Sequence, residues 1–98
     1  SSELKKQISY FKKRGYAVDD EEIEAVANKY LKNWTLNRLG LTDQAIIKMG
    51  IYEIMYTDTP SKVCIDEAIN LAHDYSDDSV VGMINSVLDR VYHNESSN

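Results

Sequence analysis

Helix breakers are scarce, with one proline and four glycines in 98 residues. Ile, Val, Leu and Ala recur at intervals of three and four positions, so most of the chain is predicted to coil into helices. Cysteine is nearly absent too: Cys64 stands alone and cannot form an internal disulfide, which suits a reducing compartment. No apolar run approaches the roughly 18–20 residues needed to cross a bilayer, and SSELKKQISYFKKRG lacks the unbroken apolar centre of a signal peptide. A cytoplasmic protein is the expectation. Under it, the glycosylation-type triplets at Asn33 and Asn94 carry no meaning.

Positive charge is also in short supply. The net charge is -5; residues 1–14 hold Lys5, Lys6, Lys12, Lys13 and Arg14 against Glu3, about +4, which leaves about -9 elsewhere. Bulk electrostatics therefore exclude nucleic-acid binding of the counterion-releasing kind, so any such contact must be local or shared with a basic partner. Metal and catalytic sites fare no better. A calcium loop starting at Asp74 would place Ser79 where glycine is needed and Asn85 where glutamate is needed. One cysteine and two histidines cannot build a structural zinc site. His73 has Asp66, Asn70 and Asp77 nearby in the chain, but on one convex helix face, which is not the cavity a triad requires. No Gly-rich phosphate loop occurs. A non-enzymatic protein without cofactor is expected.

What the chain does have is periodicity. One domain over 1–98 is predicted, an all-α fold forming a compact bundle of about five helices, with an N-terminal helix within 1–18, a core at 19–92 and a disordered tail at 93–98. The first helix covers 3–14. The second runs from 20 to 36 behind an Asp19/Glu22 capping box, with Ile23, Val26, Ala27, Tyr30, Leu31 and Trp34 inward. The third, TDQAIIKMGIYEIMY, is capped by Thr42; it is apolar around most of its circumference and so central, and Gly50 marks a close helix crossing. After the TDTP turn the fourth covers 61–75, with Ile65, Ala68, Ile69 and Ala72 inward and the carboxylates outward. The fifth covers 79–92, capped by Ser79 or Asp78, with Val81, Ile84, Val87, Leu88 and Val91 on one face. Seven tyrosines suit recognition surfaces, although their default place is boundary packing.

YLKNWTLNRLGLTDQAIIKMGIYEIMY, TPSKVCIDEAINLAHDYS and MINSVLDRV resemble, in order and spacing, the C-terminal half of the NusB family of transcription antitermination factors, with its AILRLAxYEL, IPxKVAINEAIELAKxY and FVNGVLD blocks. The resemblance implies an all-helical RNA-binding adaptor in transcription antitermination of ribosomal RNA operons. Such an adaptor pairs with a small-subunit ribosomal protein, NusE, on boxA RNA and meets RNA polymerase indirectly. Carried over position by position, it implies RNA contacts at Tyr30, Asn37, Lys62, Ser79, Gly82 and Met83, and protein-partner contacts at Asp43, Ile47, Tyr52 and Glu53. Glu67 is expected to be structural, and Asn85 a buried amide. The family's arginine-rich first helix has no counterpart in SSELKKQISYFKKRGYAV, so a trimmed or shortened relative is expected, with self-association through surface left uncovered. Where the family has a basic and an aromatic residue, this chain has Gly82 and Met83. Two alternatives follow: a protein-interaction module that has lost RNA binding, and the NusB-like domain of a ribosomal RNA methyltransferase, which the VLD ending disfavours.

Overall fold

The structure, a computed structural model, describes residues 20–32 and 34–95. The helix expected at 3–14 lies outside them. Four α-helices and one short 3-10 turn make up the described part, and no strand occurs in it: α1 (Asp20–Tyr30), the 3-10 turn (Leu36–Arg38), α2 (Leu41–Tyr56), α3 (Ser61–Tyr75) and α4 (Asp78–Glu95). The all-α class holds, and the 61–75 helix falls where the sequence places it.

Helix α2 is the centre. It packs against α1, α3 and α4, and Ile46, Ile47, Ile51 and Ile54 all lie buried along it. A helix apolar all round has no face to give to water, so the other helices must wrap it. Ile23 and Ala27 from α1, Cys64, Ala68 and Ala72 from α3, and Ile84, Val87, Leu88 and Val91 from α4 complete the core. Gly50 meets the expectation of a close crossing: a Cβ there would lie 2.8 and 2.9 Å from the two Leu88 methyls. Leu88 is fully buried and has no open side to retreat into.

The second helix is shorter than the periodicity predicts. It ends at Tyr30, six residues before Leu36, because the Asn28 side chain intercepts the chain: its Oδ1 accepts the Leu36 N–H at 2.7 Å. A short amide that offers the backbone an alternative partner competes with helix continuation. Trp34, placed on the inward stripe by the longer helix, is instead 51% exposed. Thr42 does not cap α2 either; Gly40 holds that position and its carbonyl accepts from the Gln44 N–H at 3.0 Å.

Short connections fix the remaining order. Thr57 closes α2 by donating both its N–H, at 3.3 Å, and its hydroxyl, at 2.7 Å, to the Glu53 carbonyl. Between α3 and α4 only Ser76 and Asp77 intervene, and the Ser76 hydroxyl donates to the Asp43 carboxylate, tying this corner to the start of α2. Helix α4 then runs past the expected end at 92. His93, Asn94 and Glu95 are helical, with the Asn94 amide donating to the Arg90 carbonyl at 2.8 Å and Glu95 paired with Lys29 at 3.1 Å. The tail expected at 93–98 is thus helix as far as Glu95, and residues 96–98 lie outside the described part.

Candidate functional site

Ser79, Gly82 and Met83 share one face of the first turns of α4, three and four positions apart. Ser79 and Gly82 are exposed, whereas Met83 packs its side chain against the core. Nothing lies within 4 Å of where a Gly82 Cβ would be, so the position is open but supplies no side chain. Lys62 is exposed in the first turn of α3. The α3–α4 corner lies at the other end of that helix, about 20 Å away at 1.5 Å per residue. Tyr30 is half-buried at the end of α1, where its carbonyl accepts from Arg90 at 3.3 Å and its ring lies 5.3 Å from the Lys29 ammonium. Along α4, Arg90 and Ser79 are about 16 Å apart. The six positions therefore do not form one compact patch: Ser79, Gly82 and Met83 cluster, and Tyr30 and Lys62 stand apart from them.

The expected protein-partner positions fare differently. Asp43 is half-buried at the start of α2 and engaged by Ser76. Ile47 is 0% exposed, Tyr52 3% and Glu53 5%, so these three are interior residues and present nothing to a docking protein. The reason is the near-uniform apolarity of α2: once α1, α3 and α4 wrap it, Tyr52 and Glu53 are carried inward with the isoleucines. The Tyr52 ring stacks on Tyr56 at 5.7 Å. Asn85, expected as a buried amide, is exposed, as is Glu67.

Glu53 and Cys64 form the most perturbed pair. Burial pushes the Glu53 carboxyl above the ordinary carboxylate range; the charge of Glu67 adds to this, and a hydrogen bond from Cys64 opposes it. Burial, together with Glu53 and Glu67, pushes the Cys64 thiol up to about 12. The Cys64 thiol also points at the Thr59 carbonyl, at 3.7 Å. A shielded, protonated thiol is inert, and this pair is structural chemistry rather than a reaction centre. His73 is exposed, and among the described residues no group of three metal-ligating side chains comes together.

One open cleft of about 410 Å³ lies where α1, the 3-10 turn and the start of α2 meet, lined by Glu24, Asn28, Thr35, Leu36, Asn37, Arg38 and Gln44. Asn37 is the only expected contact residue in it. The sequence reading passed over the others because an uninterrupted helix to 36 would have scattered them; the signal that could have found them is the polar run Asn28, Asn33, Thr35 and Asn37, which suits turns better than a helix interior.

A sequence model of the NusB family matches residues 5–93, reaching well into the segment where no counterpart was apparent. The chain is 48% identical over 73 residues to the transcription antitermination protein NusB of Clostridium tetani, covering 74% of this chain and 45% of that protein. It is 37% identical over 81 residues to the Macrococcus caseolyticus protein of the same name, covering 83% of this chain and 62% of that one. A solved structure of T. maritima NusB superimposes with a TM-score of 0.71 at 33% identity, over 76% of this chain and 53% of that one. The chain thus spans about half the length of the relatives it matches.

Proposed function

Because the chain belongs to the NusB family, we propose that it is a non-enzymatic adaptor in transcription antitermination, pairing with the small-subunit ribosomal protein NusE on boxA RNA in the cytoplasm. The observation that carries this reading is the family match across 5–93, which covers all of the described helices except the last two residues of α4. Charge supports the pairing: an acidic chain gains RNA affinity when a basic ribosomal protein supplies phosphate neutralisation. The RNA-facing positions in this reading are the exposed Asn37, Lys62, Ser79 and Gly82, together with the half-buried Tyr30 and Met83. With Ile47, Tyr52 and Glu53 interior, the partner surface rests on Asp43 and on Leu41, which is 84% exposed two positions before it and offers an apolar anchor.

Titration of boxA RNA with and without the ribosomal protein tests this. The expected result is weak binding by the chain alone and tighter binding with the partner, falling steeply as salt rises. RNA affinity that the chain leaves unchanged when added to the partner would refute it. A second reading, an interaction module without RNA binding, is favoured by one feature: Gly82 and Met83 lack the cation and the ring that the family's last block has there. Partner binding with no RNA contribution at low salt is its signature.

A further inference from the structure

The cleft between α1, the 3-10 turn and α2 is assigned no role by the family resemblance beyond Asn37, and its polarity is mixed in an informative way. We propose that it takes one unstacked guanine base of a single-stranded RNA, an inference that rests on the RNA-binding reading above.

The amides in the cleft are half-committed. Asn28 uses its Oδ1 to accept the Leu36 N–H at 2.7 Å, and Asn37 uses its Oδ1 to accept the Thr35 hydroxyl at 2.7 Å, so both keep an NH₂ group to donate. Gln44 is the reverse: its NH₂ is given to the Leu39 carbonyl at 2.7 Å, and its Oε1 remains to accept. Arg38 is exposed, with no acidic partner among the described residues, and presents a fork of parallel donors. Glu24 faces the same space; one of its oxygens pairs with Lys48 at 2.9 Å and the other is left as an acceptor.

A bare phosphate or an acidic peptide would meet the Glu24 carboxylate unfavourably and leave the Gln44 oxygen unmatched. Guanine satisfies both signs. Its O6 and N7 accept from an arginine fork, while its N1–H and amino group donate to carboxylate and amide oxygens. Adenine lacks the N1–H, and a pyrimidine lacks N7. Leu36, 2% exposed, supplies an apolar wall, and the volume lies within the range of small-ligand pockets. Trp34, 51% exposed immediately before Thr35, offers a platform for a neighbouring base of the same strand.

The test uses the full chain, isotopically labelled so that the side-chain amides of Asn28, Asn37 and Gln44 are read by NMR. To it are added GMP, AMP, UMP or CMP, and then single-stranded uridine decamers with or without one central guanosine. Saturating shifts are expected with GMP and with the guanosine-containing decamer, and binding weaker by about fivefold or more with the others. Arg38→Gln, at an exposed site, should weaken the guanosine response about tenfold with an unchanged circular dichroism spectrum. Equal shifts from all four nucleotides, or from an acidic peptide, would overturn the proposal. RNA that binds the chain–partner complex without moving these amides sinks the cleft and spares the wider reading. Guanosine-specific shifts in a chain that never joins RNA to its partner uphold the cleft and refute the wider reading; silence in both experiments refutes both.

Discussion

Glu53 is the buried charged residue among those described, and its carboxyl sits above its ordinary value of 4.5, first because of burial and then because of Glu67. The sign of the linkage follows. Between the unfolded value and the raised folded one, the folded chain holds a proton that the unfolded chain has released, so this group's contribution to stability falls as pH rises through that window and is undiminished below it. Glu53→Gln keeps the side-chain shape and removes the titration. Urea midpoints measured from pH 4.5 upward should therefore fall less with pH in the variant than in the parent. Parallel pH profiles would show that the carboxyl is solvated in the folded state. Lys29 illustrates the opposite setting: its hydrogen bond to Glu95 raises its pKa, but the ammonium is fully exposed, and the pair is screened by salt.

At the scale of elements, the sequence was most legible where periodicity and punctuation agreed. Helix α3 lies between Pro60 and Ser76, has a clean i, i+3, i+4, i+7 stripe, and was placed to the residue. The end of α1 was not legible, because no glycine or proline marks it; a single side-chain acceptor, Asn28, decides it by taking the N–H of Leu36, eight positions further on. Asn28→Ala leaves the Leu36 N–H without that acceptor and should cost about 1–3 kcal/mol in urea unfolding. Trp34→Ala, four positions past the helix end and half in solvent, should stay within about 0.5 kcal/mol. Reversal of that order would restore the longer helix. The crossing of α2 and α4 was legible in Gly50 alone, since glycine in a helix interior loses about 1 kcal/mol of propensity and needs a reason. Gly50→Ala regains that propensity but drives Leu88 off its position, at a cost of about 1–3 kcal/mol. A net loss near 1 kcal/mol is expected, and calorimetry of the variant would check it. The candidate site was the least legible part: Asn37 could be carried over from a resemblance, but the cleft around it depends on the early end of α1, and the inward fate of Tyr52 and Glu53 depends on how many helices surround α2.

For the whole molecule, charge and packing divide the work. Among the described residues the interior is apolar apart from Glu53 and the Tyr52 hydroxyl, and the rest of the charge lies outside it; in the proposed adaptor role, affinity for RNA would be set by salt and by a basic companion. Cys64 joins these two aspects. It is 1% exposed in the first turn of α3, with its thiol against Glu53 of α2 and the Thr59 carbonyl, and holds its proton up to about 12. Iodoacetamide should leave it untouched until α3 separates from α2, and its alkylation rate in native buffer should trail that of the urea-unfolded chain by a factor of about 10³ or more. The lone sulfur is consequently a stopwatch sealed inside the bundle: timing its alkylation with and without the proposed ribosomal protein or RNA would gauge how tightly either clasps the domain, with no dye, tag or engineered probe.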